Sequence, residues 1–369
     1  MSRIGAVPES GQDGWRVPLV AFAITELLLV VLARLCGFDV LSPQTWERWD
    51  SGYYIHMVDH GYSLVHCKPE DPTFWCGTAG WFPGVSWLIA LMRLTGISLH
   101  VAAVLVVTAC YFGIVFVFYQ MVEQQGPRGL VALAVACFFP GSIYLHAVFP
   151  LAPLVLAALL ALYASSRGRF VLAAVFSMVA ATMYPVGVMV GGAIALAGSG
   201  RGRWLAPCGT TLGLGLIVLA QYRGTGVWNG YWLIQHQYDH GLHNPFDTLG
   251  FNLKSLVNSR HRSRYPLLVW PAFQTLLVTV FVGWIGAHTR QLWREGGLTR
   301  LVLTYTALAW LFPLVVGGAR ISLYRSEVAL LPAVYFVPRL PLRVSVPACA
   351  VLVVLFAVME RYFLLSQIM

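Results

Sequence analysis

An aspartate set among tryptophans is the residue of this sequence whose surroundings most invite chemistry. The stretch Trp46-Glu47-Arg48-Trp49-Asp50-Ser51-Gly52-Tyr53-Tyr54 runs on to Gly61-Tyr62. Gly61 marks the end of a short helix, because glycine takes the left-handed C′ conformation without a steric penalty. The start is open. Ser42 and Pro43 can serve as N-cap and first-turn proline, or Asp50 can itself cap a helix running to His60. If the segment is helical throughout, Trp46, Trp49, Asp50, Tyr53 and Met57 share one face. Asp50 can then act as a general base on a hydroxyl, or do no more than cap the helix or pair with Arg48.

Chemistry on a phosphate would need cations, and Arg48, Arg260, Arg262, Arg264, Arg320 and Arg325 are the candidates. Guanidinium groups bind phosphate in bidentate fashion and neutralise developing charge. Arg260 to Arg264 (RHRSR) precede an apolar segment, where contact with lipid headgroups is role enough, whereas Arg320 and Arg325 flank an apolar end at Gly317-Gly318 and look more site-like. Tyr53, Tyr231 and Trp232 can stack on sugar rings, although aromatic residues at membrane boundaries are expected as anchors in any case. His236, His240 and His243 have spacings that fit one helical face, yet no carboxylate pattern completes a site, and no metal is expected. Glu26, inside the first apolar segment, is either a functional acid or a protonated or helix-paired structural one, and His146 is open in the same way.

The elements that must position these residues are membrane helices. Of 369 residues, 58% are hydrophobic and 11% charged, and the mean hydropathy is +0.71. An average soluble domain has roughly 45–50% apolar and 25% charged residues, so a soluble globular protein is excluded. Apolar stretches at 17–36, 99–121, 130–148, 151–166, 170–184, 186–199, 204–222, 265–286, 301–317, 325–338 and 344–360 predict an all-α polytopic membrane protein of about eleven transmembrane helices. We read residues 1–369 as a single integral membrane domain without internal repeat, low-complexity segment or appended soluble domain. The polar first 16 residues are followed by an apolar run with no cleavage site, which is expected to stay as a membrane helix.

The net charge is +9, and all but two of the 24 cations are arginine, the exceptions being Lys68 and Lys254. The arginines collect in short loops, at 128, 167, 169, 201, 203, 290, 294, 300, 339 and 343. That is the positive-inside pattern of a membrane protein with a cytoplasmic N-terminus, and it argues against nucleic acid as the partner. Counting Trp81 to Gly96 as a span would invert everything after it, so this segment is expected to lie at the interface. Residues 37–98 then form a first outer loop with juxtamembrane helices, and 223–264 a second long outer loop. Cys67 and Cys76 can form a disulfide there if the loop faces an oxidising compartment. Cys36, Cys110, Cys137, Cys208 and Cys349 read as small hydrophobes.

Arg48-Trp49-Asp50-Ser51-Gly52-Tyr53-Tyr54 with Gly61-Tyr62 resembles the R-W-D-S-x-x-Y…G-Y signature in the first outer loop of the GPI mannosyltransferase II-like (PIG-V-like) family, within the GT-C superfamily of polyprenyl-phosphate-sugar glycosyltransferases. Three weaker matches follow in order. Trp81-Phe82-Pro83 resembles the family's F-F-P-x-Y-P segment. Phe139-Pro140-Gly141-Ser142 through Arg167-Gly168-Arg169 to Tyr184-Pro185-Val186-Gly187 resembles its F-P-x-x…R-R-G-R-W…T-R-P-x-G region. Gln237-Tyr238-Asp239-His240 through Asn244-Pro245-Phe246 resembles the Q-x-x-W-x-R…P-P-W pattern of its later outer loop. With Arg325 near a P-R-Y-like motif, the matches touch about half the chain. Two departures stand out: Phe149-Pro150-Leu151-Ala152 replaces an acidic Y-T-E-S element, and Tyr184 stands where the family has arginine.

The resemblance implies a GT-C-like bundle and inverting mannosyl transfer from a polyprenyl-phosphate donor to a lipid or glycan acceptor on the outer or lumenal face. It implies Asp50 as the base and Arg48, Trp49, Tyr53, Tyr54, Gln237, His240, Arg320 and Arg325 as substrate contacts, with no cofactor beyond the lipid-linked donor. One carboxylate plus cations suffices, since a phosphate leaves as an anion, unlike the leaving group in glycoside hydrolysis. The Arg-rich, Lys-poor, Ala/Val/Gly-rich composition points to the plasma membrane of a GC-rich bacterium. A transporter or lipid flippase and a catalytically silent GT-C relative are the alternatives, the former lacking the inverted repeats that would favour it, the latter suggested by the missing acidic element.

Overall fold

Once water is excluded, each backbone N–H and C=O must find its partner within the chain, so apolar stretches of this length become helices. The computed structural model describes residues 14–68, 70–71, 73–238, 240–317 and 322–367. Helix α1 (Arg16–Leu35) leads into a first long loop, which holds α2 (Ser51–His60), an antiparallel ribbon of β1 (Val65–His66) and β2 (Trp75–Cys76), and α3 (Gly84–Arg93). Short connections then link α4 (Leu99–Val122), α5 (Pro127–Cys137), α6 (Leu151–Ser166), α7 (Phe170–Met183), α8 (Val188–Ala197) and α9 (Leu205–Thr225). A second long loop holds α10 (Gly230–Gln235), α11 (Pro245–Val257) and α12 (Ser259–Arg264). After it come α13 (Val269–Ala287), α14 (Thr289–Glu295), α15 (Gly297–Val316), α16 (Leu323–Ser326), a 3-10 segment over Glu327–Arg339, and α17 (Leu342–Leu364).

Among the described residues six helices, those at α1, α4, α9, α13, α15 and α17, are long and apolar enough to cross a membrane. The chain is thus a polytopic helical membrane protein. The shorter apolar helices α5 to α8 complete the bundle around a core that includes Tyr111, Phe118, Tyr305 and Phe336. Glycines bring helices into close contact, as small residues do in membranes. A Cβ at Gly213 of α9 would meet the carbonyl oxygen of Met178 in α7 at 2.6 Å.

Three expected elements differ in detail. The stretch 130–148 is helical only to Cys137. Pro140 lacks an amide donor, Gly141 turns the chain at φ 80°, and a 3-10 turn follows at Ser142–Leu145. A Cβ at Gly141 would stand 2.9 Å from the carbonyl oxygen of Tyr324, so this turn packs directly against α16. The span expected at 325–338 is a 3-10 helix, whose rise of about 2.0 Å per residue gives thirteen residues a reach of about 26 Å, close to the ~30 Å of a bilayer core. Tyr305 donates its hydroxyl to the carbonyl of Ala329 within it, at 2.9 Å. The segment 81–96, expected at the membrane interface, holds a helix of ten residues, only about 15 Å long. Arg93 at its end pairs with Asp59 of α2, and His100, opening α4, bonds Glu47 at 2.8 Å, so the helix returns to the loop it left.

Candidate active site

The Asp50 segment is not one continuous helix. A 3-10 turn at Pro43–Thr45 is followed by irregular chain, and α2 begins at Ser51. Trp46 is buried, with its indole N–H donated to the carbonyl of Val40, whereas Trp49 and Tyr53 are each 39% exposed. The single aromatic face expected of a continuous helix does not form. Ser51 provides the reason. Its buried hydroxyl accepts the Arg48 N–H at 3.1 Å while its own N–H donates to the Arg48 carbonyl at 3.0 Å. This closes a tight loop in which Trp49 is held at φ 52°, a left-handed backbone that costs an L-residue about 1–2 kcal/mol.

Asp50 occupies the N-cap position, yet its carboxylate makes no capping bond. Oδ2 instead accepts from Nη1 of Arg325 at 2.6 Å, with the two side chains 15% and 14% exposed. Neither plain role, helix cap or partner of Arg48, applies, and the Arg48 guanidinium lies over the ring of Phe38 at 5.2 Å. Arg325 reaches Asp50 because α16 is held from two sides. Gln274 of α13 donates to the carbonyl of Tyr324 at 2.6 Å and to Glu327 at 2.8 Å, and Phe149 presents its ring to the Arg325 guanidinium at 5.6 Å. Among the described residues Arg325 Nε is buried without a hydrogen-bond partner.

The pair lies in the wall of a cavity of about 160 Å³, which Tyr54, Trp81, Tyr184, Tyr231, Tyr238 and His240 also line. Aromatic rings and one salt bridge from distant parts of the chain converge there because the two long loops are laced together. Gln221 donates to the carbonyl of Ala79 at 2.9 Å and Gln235 to that of Gly80 at 2.6 Å. Tyr62 donates to the carbonyl of Trp81 at 3.1 Å, and Gln237 to that of Trp75. The N–H groups of Gly241 and His243 take the free carbonyls of Val316 and Val315 at the end of α15. Burial, and then the charge of Asp50, push the Tyr54 phenol well above its ordinary pKa. Burial raises Tyr238 as well, followed by Tyr53 and Asp50. These phenols stay protonated and are available as donors.

The expected site residues therefore divide. Asp50, Tyr54, His240 and Arg325 line the cavity. Trp49 and Tyr53 face an adjoining cleft, with the Tyr53 ring stacked on Trp81 at 3.7 Å. Arg48 and Gln237 hold the surrounding chain, and Arg320 lies outside the described residues. Cys67 and Cys76 are joined in a disulfide that ties the ribbon. Glu26 accepts from His146 at 3.2 Å, anchoring the turn that carries Phe149. Sequence reasoning did not single out Trp81, Tyr184, Gln235 or Phe149 as site residues. Their types read as anchors or core, and the one available signal was that each sits in or beside a motif quoted above.

A carboxylate held by a guanidinium with donor capacity to spare, among protonated phenols, can take a proton from a hydroxyl beside a bound anion. No protein family matches the sequence, and no curated protein does. Two solved structures resemble the fold. The crystal structure of ArnT from Cupriavidus metallidurans bound to undecaprenyl phosphate aligns with a TM-score of 0.53 at 14% identity, over 92% of this chain and 63% of that one. The oligosaccharyltransferase of Archaeoglobus fulgidus, in complex with zinc and sulfate, aligns with a TM-score of 0.49 at 11% identity, over 94% of this chain and 52% of that one. This chain therefore spans less than two thirds of the length of either, and what it shares with ArnT is the fold of its helical bundle.

Proposed function

We propose that this protein is an integral membrane glycosyltransferase that moves a hexosyl group, mannosyl by its resemblance to the GPI mannosyltransferase II-like family, from a polyprenyl phosphate to an acceptor hydroxyl on the outer face of a bacterial plasma membrane. The observation that carries the reading is the Asp50–Arg325 pair, 2.6 Å apart in an aromatic cavity, with Arg325 Nε unpartnered among the described residues. ArnT, whose fold this chain shares, was solved with a polyprenyl phosphate bound. In the proposed step the acceptor oxygen attacks the anomeric carbon and gives its proton to Asp50. The bond from that carbon to the phosphate oxygen breaks, and the electron pair leaves with the phosphate. Attack opposite the leaving group inverts the anomeric centre.

Arg325 has donors enough to orient Asp50 and to meet a phosphate oxygen as charge develops there, which is where preorganised donors help most. Tyr54 and His240, with Arg320 by resemblance, would contact the donor, and Arg48 and Gln237 would hold the loops around it. The missing acidic element supports the same division of roles, because Phe149 stands against Arg325 and leaves Asp50 as its carboxylate partner. Transfer from radiolabelled polyprenyl-phosphate-mannose, using membranes with equal amounts of wild type and Asp50→Asn, tests this. Loss of product by about a hundredfold or more in the variant is the expected result for removal of a general base. Equal product from both removes Asp50 from the mechanism, and a wild type that transfers no hexose from any polyprenyl-phosphate sugar returns the chain to the silent-relative reading.

A further inference from the structure

The second long loop carries a helix whose faces are reversed. In water a surface helix turns its apolar residues inward and its polar residues outward. On α11 the fully buried positions are Thr248 and Ser255, whereas Phe246 and Val257 are 80% and 85% exposed and Phe251 is half exposed. Phe246, Gly250, Lys254 and Val257 share one face at spacings of four, four and three. α11 packs against α13 and α15, and it is the polar side that is buried by that packing. An apolar outward face is what a helix lying in the headgroup layer of a bilayer presents.

Charge accompanies it. Lys254 of α11 and Arg260, Arg262 and Arg264 of α12 are all exposed. No acidic residue occurs between Asp247 and Glu295, and among the described residues none of the four cations pairs with a carboxylate. The two helices are fixed as one elbow: Asn258 between them accepts the His261 N–H at 3.0 Å, and His261 Nδ1 lies 3.0 Å from Ser255 Oγ of α11. The apolar segment Pro266–Ala287, long enough to cross a membrane, begins two positions after Arg264. Two residues reach about 7 Å at most, which is less than the roughly 8 Å Debye length at physiological salt. The cations at the end of α12 therefore stand within range of the charge on the membrane surface.

We propose that the outward face of α11 and α12 docks on the bilayer and holds anionic phospholipid headgroups, with Phe246, Phe251 and Val257 entering the boundary between headgroups and acyl chains and Lys254, Arg260, Arg262 and Arg264 meeting lipid phosphates. Charge selects the lipid. A headgroup of the phosphatidylglycerol type offers its phosphate alone, whereas a zwitterionic one brings a cation that these side chains repel. A second copy of this chain fits the face poorly, because a two-fold contact would set the four cations against themselves. The near end of the same loop is fixed by the N–H groups of Gly241 and His243 on the carbonyls that end α15, so lipid at the elbow would hold the far end and steady the stretch that carries His240. The docking is independent of which group the protein transfers.

A reporter on the face itself reads the contact without turnover. Val257→Cys, with the five free cysteines changed to alanine, is labelled with bimane, and the full chain is placed in vesicles of equal parts phosphatidylcholine and phosphatidylglycerol. One lipid at a time carries a nitroxide near the headgroup end of an acyl chain, where it quenches only at short range. Both lipids should quench, and phosphatidylglycerol about twofold or more strongly. That preference should fade in about 1 M salt, where the Debye length falls to about 3 Å. It should also vanish when Arg260→Gln, Arg262→Gln and Arg264→Gln are combined, with quenching by phosphatidylcholine retained. No quenching by either lipid would put the face in water or against another protein, and equal quenching by the two would leave an apolar contact without headgroup selection. Either result overturns the proposal, as does a preference that survives both high salt and the triple variant. Loss of the preference on adding undecaprenyl phosphate as a minor component would assign the cations to that lipid and overturn it as well.

Discussion

Asp50 and Arg325 are 275 positions apart in the chain and meet at 2.6 Å, joining the first long loop to the segment after α15. With side chains only 15% and 14% exposed, the pair is shielded enough that removing one partner strands the other. Arg325→Gln should destabilise the protein by roughly 3–5 kcal/mol, the range seen when a buried pair is broken from one side. Adding Asp50→Asn to it should recover part of that loss, because a neutral amide is left in place of an unpaired charge. Thermal unfolding of the two single variants and the double in detergent gives the coupling directly, and additive effects would mean that the pair carries no net interaction.

Trp49 and Trp46 make an internal comparison. Trp49→Gly frees the backbone from the cost of φ 52° but adds flexibility to the unfolded chain, so stability should change by less than about 1 kcal/mol. Trp46→Ala, at a residue 7% exposed, should lose roughly 3–5 kcal/mol, as large-to-small changes of buried aromatics do. Melting curves of the two variants separate a strained surface residue from a core one. Equal destabilisation would assign the Trp49 indole a structural role.

The apolar helices were legible because composition and segment length dictate them, and α1, α4, α6 and α7 fall where the sequence places them. Asp50 and Arg325 were legible as types and positions, a carboxylate in a tryptophan-rich motif and an arginine at an apolar end. Their contact was not, since nothing local to either residue encodes a partner 275 positions away. The 3-10 course of Glu327–Arg339 escaped because periodicity shows that a segment is apolar and helical without fixing its rise when prolines at 332 and 338 interrupt the α pattern. The break before α2 had a readable cause in Ser51, whose side chain competes with helical bonding for the Arg48 N–H. Trp81 was read only within its motif and Tyr231 as a ring that could stack on a sugar or merely anchor the chain, and only the lacing of the two loops by Gln221, Gln235 and Tyr62 turns them toward one cavity.

The sidedness read from the arginines has a chemical test in Cys67 and Cys76, which are paired in the first long loop. In a variant with the five free cysteines changed to alanine, a membrane-impermeant maleimide added to intact cells should label the protein only after reduction. A cysteine introduced at Arg201, in the connection before α9, should resist the reagent until the membrane is broken. The reverse pattern would invert the topology and put the Asp50 cavity on the cytoplasmic side.

The opposite end of the bundle is held by Arg339 at the end of the 3-10 segment and Glu295 at the end of α14, whose Nη2 and Oε2 atoms lie 2.5 Å apart. The hydrogen bond from Arg339 holds the Glu295 carboxyl below its usual pKa, with the Arg339 charge and Thr299 acting in the same direction against partial burial. A carboxyl whose folded pKa is depressed contributes stability that is complete above its unfolded value, about 4.3, and is lost as pH falls through the lower folded value. Glu295 is 36% exposed and solvent screens the pair, so the contribution should not exceed about 1 kcal/mol. Unfolding of wild type and Glu295→Gln should therefore differ by that small amount near neutral pH and converge on acidification below about 4. A difference that stays constant or grows on acidification would show that the glutamine acts through packing and that the ion pair is not the source of the effect.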